Sequence, residues 1–174
     1  TTIERRIAFA EAMRPLFARA VSEHEALMAE AGAERYLRKE GWIKLYRSEE
    51  AFAATAPERE LATKHDLTFR VLDVDAVHAL EPAVAPVFHR AVHWWGAASV
   101  SNPLAVTRAY AARFAALGGV VIEGDARTLH RAGPNWRIDT PEGALDAPNV
   151  VVALGPWAPD LLKPLGLNFP MAVK

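Results

Sequence analysis

Apolar side chains recur at intervals of three and four from Ile3 to about Ala31, among them Ile7, Ala10, Met13, Leu16, Phe17 and Val21, with Glu and Arg between them. That period predicts a long amphipathic helix, and Gly32 is its natural C-terminal stop. Pro15 lies inside the pattern and predicts a kink near Ala12–Arg14, or two helices end to end. The period then changes. "GWIKLYR", Gly41 to Arg47, alternates and reads as a strand, and Ser48 ahead of Glu49 and Glu50 caps a second helix to about His65, broken at Pro57.

"TFRVLD" supplies a strand over Thr68–Leu72, after which Asp73 caps a short helix, "VDAVHAL", that ends before Pro82. "HRAVHWWG" is a strand closed by Gly96. "AASVSNP" is a loop or bulged strand, and Asn102 and Pro103 open a helix, "LAVTRAYAARFAAL", that Gly118 and Gly119 terminate. The last third is β-rich. "VVIEG" (Val120–Gly124) and the all-apolar Val150–Leu154 predict buried strands, and between them a three-stranded meander turns at Gly133-Pro134-Asn135 and Pro141-Glu142-Gly143. A helix, an apolar strand, a meander and a second apolar strand together resemble a piece of a parallel sheet covered on both faces. The chain opens almost at once in a helix without Met, and the apolar residues of "NFPMAVK" (Asn168–Lys174) suggest a strand missing its continuation. An internal piece of a longer protein is therefore expected.

Composition narrows the chemistry. The 174 residues are 51% hydrophobic and 24% charged, with 20 basic against 21 acidic side chains, so no global field attracts nucleic acid or anionic lipid. The absence of cysteine excludes disulfides, thiolate zinc sites and a Cys nucleophile. No apolar stretch is long enough for a membrane span. Gly118, Gly119 and Gly124 follow a helix and bracket a strand, the reverse of the strand, G-x-G-x-x-G, helix order that cradles a pyrophosphate. His89 and His93 share a strand face but have no third ligand nearby, so packing explains them better than a metal. Trp94 and Trp95 point to opposite faces, so at most one can line a given pocket. Ser99 and Ser101 lack a nucleophile elbow, and Glu49, Glu50, Asp73 and Asp75 sit at helix starts where capping accounts for them.

The stretch "VVVALGPWAPDLL", Val150–Leu162, remains. Ending a strand in Ala153 and Gly155 leaves backbone with little side-chain cover, which allows a flat group to approach it; tight packing of strand on helix would require the same residues.

"SVSNPLAVTRAYAARFAALGGVVIEGDARTL" followed by "WRIDTPEGALDAPNVVVALGPWAPDLLKPLGLNFP" resembles the middle section of the FAD-dependent D-amino-acid oxidase and dehydrogenase superfamily, which also holds glycine and sarcosine oxidases. The family's S-V-D-P loop, helix ending in glycines, strand, second strand passing the adenine and, after a meander, A-x-G-x-W turn correspond to Ser99–Pro103, Gly118–Gly119, Val120–Gly124, Ala126–Leu129 and Ala153–Trp157. "GWIKLYRSEEAF" and "VLDVDAVHALEPAV" resemble its G-x-L-x-L strand and L-D…E-P unit. The resemblance implies an α/β (α+β) fold: part of a mixed-sheet substrate domain over residues 1–100, an FAD-binding doubly wound segment over 101–167, and a return toward the substrate domain over 168–174. It implies an FAD cofactor contacted by the backbone at Ala126, beside the adenine, and by the Ala153, Leu154, Gly155 and Trp157 turn. Pro156 replaces a small residue of the family and offers no backbone N–H there.

The resemblance further implies removal of hydride from the carbon beside an amino nitrogen, on an amino acid or a related amine, giving an imine that water hydrolyses. No catalytic residue is assigned and no metal is expected. Nucleic acid is not an expected partner, and the location is expected to be cytoplasmic or peripheral to an inner membrane. The alternative is a non-catalytic binding module that kept the scaffold.

Overall fold

The periodic opening residues form one helix, α1 (Ile3–Glu30), in the computed structural model, which describes residues 2–169 and 171. Of the two outcomes expected at Pro15, a division into two helices is not made. Proline removes one amide donor, but the Ala, Met, Arg and Leu around it favour the helix and the turns on either side continue. The C-terminus closes with the paired bonds of a Schellman motif: Ala33 N–H donates to Met28 O (2.8 Å) and Gly32 N–H to Ala29 O (3.2 Å), with Gly32 at φ +64°.

Thr1–Gly118 and Gly119–Lys174 form separate units. In the first, α1 is followed by β1 (Leu37–Arg38), β2 (Trp42–Tyr46), α2 (Glu49–Ala53), α3 (Ala56–Lys64), β3 (Phe69–Leu72), α4 (Val74–Leu80), β4 (Arg90–Trp94), β5 (Ser99–Val100) and α5 (Pro103–Ala116). Ser48, Asp73 and Asn102 each accept a bond from the amide three residues on, capping α2, α4 and α5. The helix expected over Ser48–His65 breaks at Ala54–Thr55 rather than at Pro57, because proline in a first helical turn forfeits only an amide that has no partner there anyway. Strands β2, β4 and β3 pair antiparallel in that order, and β1 pairs with β5.

Two cores hold this unit. Met28, Ala33 and Val106 are buried together with Tyr36, Leu37 and Tyr110 around them, which joins the end of α1 to α5. Val77, Phe88 and Ala91 are buried with Ile43, Leu72 and Val84, which seats α4 against the sheet. Alternation along β4 separates its tryptophans as expected. Trp94 lies between its register partners, 6.1 Å from Trp42 and 5.1 Å from Phe69, whereas Trp95, just past the strand, lies tilted against His93 at 4.1 Å with the Arg70 guanidinium over its ring.

The second unit contains the expected meander, β6 (His130–Ala132), β7 (Asn135–Thr140) and β8 (Gly143–Ala147), all antiparallel. A single 3-10 turn at Ala126–Thr128 precedes it, and a second at Gly155–Trp157 leads into α6 (Ala158–Leu162). The buried strands expected at Val120–Gly124 and Val150–Leu154 are not found: neither stretch pairs with any described segment, and Val120 and Val121 are each 71% exposed and Val151 89%. Apolar residues without ladder partners cannot bury both faces. The class is α/β in the α+β sense, helices with small antiparallel sheets. Pro170 and residues 172–174, most of the strand expected at the C-terminus, lie outside the described residues. No helix among the described residues is long and apolar enough to cross a membrane.

Candidate cofactor site

Leu154 leaves the Val150–Val152 stretch in a near-helical conformation, and Gly155 then takes φ +55°, a value that a residue with a side chain adopts only at a cost. Trp157 N–H donates to Leu154 O (3.2 Å), which closes the turn across Gly155 and Pro156; Pro156 has no amide to give. A Cβ built on Gly155 meets nothing within 4 Å. Among the described residues no protein group approaches the glycine closely, and Ala153 and Trp157, two residues to either side in the chain, are exposed. Among the described residues nothing packs on the Gly155 position, which is the opening a flat group would need.

Ala126 is brought to the same region of this unit, because α6 packs against the Ala126–Thr128 turn. Leu129, Ala158 and Leu161 are buried there. The turn itself is held by side chains. Asp125 accepts from the Arg127 amide (3.0 Å) and from the Arg127 guanidinium at 2.7–3.1 Å. Thr128 Oγ1 donates to Asp125 O (2.7 Å) and accepts from the Asp139 amide on β7 (3.0 Å). The Thr128 carbonyl in turn accepts from His130 Nδ1 at 2.8 Å. Asp125 and Thr128 were not singled out from the sequence. The signal was present in the string D-A-R-T, in which a short acceptor and a hydroxyl three residues apart favour a side-chain-closed turn.

An open cleft of about 610 Å³ lies beside this turn, bordered by Glu123, Asp125, Arg127, Thr128 and Asp139. Glu123, Asp125 and Asp139 line it with one guanidinium that is already tied to Asp125, so the cleft disfavours phosphate. It offers no cradle for a pyrophosphate, in keeping with the missing glycine-rich loop. The Arg127 side chain, followed by its amide, lowers the Asp125 carboxyl from an ordinary 3.8 to about 2. A depressed carboxylate stabilises the fold above its unfolded pKa and loses that contribution as pH falls toward the folded one. An NMR titration of the Asp125 carboxyl is expected to find its midpoint near 2, and Arg127→Gln to raise it part of the way toward the usual carboxylate range, since the residue-127 amide still donates to it.

The histidines considered as a metal pair lie in separate interactions. His89 Nε2 is 2.7 Å from Glu49 Oε2, and that contact lowers the Glu49 carboxyl together with Arg90. His93 is buried, and its Nε2–H donates to Glu40 O at 2.7 Å.

Comparison with known proteins extends these observations. The chain is 29% identical over 152 residues to a glycine oxidase of Pseudomonas putida, covering 84% of this chain and 40% of that protein. It is 31% identical over 149 residues to a D-amino acid dehydrogenase of Rhizobium johnstonii, covering 83% and 36%. Among solved structures, glycine oxidase from Geobacillus kaustophilus superposes with a TM-score of 0.73 at 25% identity, over 87% of this chain and 41% of that one. L-proline dehydrogenase from P. horikoshii shares the fold, with a TM-score of 0.67 at 16% identity. The chain thus spans about 40% of the length of the curated relatives it matches. The family model for FAD-dependent oxidoreductases matches residues 4–174, almost the whole chain, and the chain belongs to that family, the DAO family.

Proposed function

We propose that this chain forms part of an FAD-dependent oxidoreductase that oxidises the C–N bond of an amino acid or a related amine. The observation that carries the proposal is the family match over residues 4–174 together with the open, glycine-bent turn at Gly155. When bound, FAD accepts hydride from the carbon next to the amino nitrogen, and the resulting imine is hydrolysed by water. This chain's own residues position and shield. Ala153, Leu154, Gly155 and Trp157 present a low, apolar wall to the cofactor, and the Ala126 backbone faces the adenine. Residues 1–100 belong to the substrate side, 101–167 to the cofactor side, and 168–174 lead back. The exposed Val120–Ile122 and Val150–Val152 stretches pair in the complete gene product with strands from outside these 174 residues.

Relatives that act on glycine and on D-amino acids support an amino-acid substrate. The test is anaerobic addition of glycine, sarcosine and a panel of D-amino acids to the complete gene product loaded with FAD. Bleaching of the flavin by one of them is expected; a loaded protein that none of these amines reduces favours the non-catalytic module instead. The 174-residue chain alone, without a pyrophosphate loop, is expected to emerge from gel filtration free of flavin, and a one-to-one flavin spectrum in the protein peak would refute that.

A further inference from the structure

The meander contains an unfinished ladder. Strands β6 and β7 pair as His130↔Arg137, Arg131↔Trp136 and Ala132↔Asn135. Continued backwards by two residues, that register sets Thr128 opposite Asp139. The pairing stops before it gets there. Residues Ala126–Thr128 coil into a 3-10 turn, and the Asp139 amide, which a continued β6 would face with backbone, is taken by the Thr128 hydroxyl at 3.0 Å. The same hydroxyl gives its proton to Asp125 O at 2.7 Å, so one side chain satisfies the abandoned strand edge and pins the start of the turn. His130 Nδ1 satisfies the Thr128 carbonyl, which the ladder no longer serves. Leaving a strand edge normally strands polar backbone groups, and such groups draw the chain back into the sheet. Here that tendency is removed by a side chain.

We infer that Thr128 is the positioning residue that turns the backbone out of the β6–β7 ladder at Ala126 and so sets where Ala126 presents its peptide to the adenine; this rests on the adenine contact proposed above. Residue 128 needs a hydroxyl with both a proton to give and a lone pair to accept. Serine meets that need and valine, of nearly the same shape, does not. Arg127 and Asp125 reinforce the turn, but neither reaches β7 through a hydrogen bond found here, so they cannot replace that link.

The test compares Thr128→Val with Thr128→Ser in the 174-residue chain, with circular dichroism as the control for folding. Amide exchange and chemical shifts at Ala126–Thr128 and Asp139 are read with and without millimolar adenosine, which carries the adenine without a phosphate. In Thr128→Val the Asp139 amide is expected to lose protection about fivefold or more, the yield of one ordinary hydrogen bond. The shift that adenosine produces at Ala126 is expected to shrink with it. Thr128→Ser is expected to retain both. If Thr128→Val keeps the Asp139 protection and the adenosine shift, the positioning role is overturned and the adenine contact survives. If the unsubstituted chain shows no shift at Ala126 with adenosine, the adenine contact falls and the inference falls with it. If Thr128→Val does not fold, Thr128→Ser decides: retention of both signals supports the role, and loss of either overturns it.

Discussion

Gly41→Ala is expected to destabilise the first unit by about 3–5 kcal/mol, a large share of the roughly 5–15 kcal/mol that holds a typical domain folded. Two costs combine at this residue. Its φ of +73° is left-handed, and a side chain there costs about 1–2 kcal/mol. The added Cβ would also lie 2.1 Å from the Trp94 carbonyl oxygen, 2.9 Å from its carbon and 3.1 Å from His93 Nε2. Those atoms belong to the middle strand and cannot step aside, because β4 is paired on both edges and His93 is fixed through Glu40 O. Relief requires moving the chain just ahead of β2, which breaks the Trp42↔Trp94 end of the ladder and the aromatic row built on it. Gly32→Ala separates the two costs. Gly32 has a similar φ of +64° and open space around its Cβ, so it should lose only the conformational cost of about 1–2 kcal/mol. Urea unfolding followed by tryptophan fluorescence reads both variants, and equal midpoints would show that the contact with β4 is not what Gly41 serves.

What was legible in the sequence was decided within a few residues. Ser48, Asp73 and Asn102 cap helices because each side chain reaches an amide three positions on, and no distant part of the chain takes part in that choice. The meander turns were legible for the same reason: Gly133 and Gly143 both take positive φ where the sequence set the reversals. Trp94 and Trp95 separated to opposite faces because the strand period alone requires it. Pro57 misled on the position of a break but not on its existence, since the rule that bars proline from a helix interior admits it to the first turn.

What was not legible depended on partners far along the chain. Val120–Gly124 and Val150–Leu154 have the composition of buried strands, but a strand exists only with a neighbour to bond, and no described segment supplies one. Ala126–Leu129 matched a strand of the family by position, yet the first three residues form a turn because a threonine hydroxyl replaces a ladder bond. That exchange depends on the register between β6 and β7, which hydrophobic pattern alone does not reveal.

Gly155→Ala in the complete gene product is expected to weaken FAD binding on the order of tenfold to a hundredfold, the range that about 1–3 kcal/mol of overpacking produces. The stability of the 174-residue chain carrying the same change should fall by only about 1–2 kcal/mol. The split follows from the geometry of the turn. At φ +55° the substitution pays a conformational cost within the chain, but its methyl group meets no atom of the described residues within 4 Å. Any further loss must therefore come from whatever occupies the open side. Gly166 provides the control. It ends the Lys163–Leu165 turn at φ +81°, also with open space around it, and Gly166→Ala should cost similar stability while leaving flavin affinity unchanged. Flavin fluorescence titration and urea midpoints on the two variants decide the matter. Equal affinity in both would mean that Gly155 shapes the turn without touching the cofactor, and the wall assigned to Ala153, Leu154 and Trp157 would then have to be placed elsewhere.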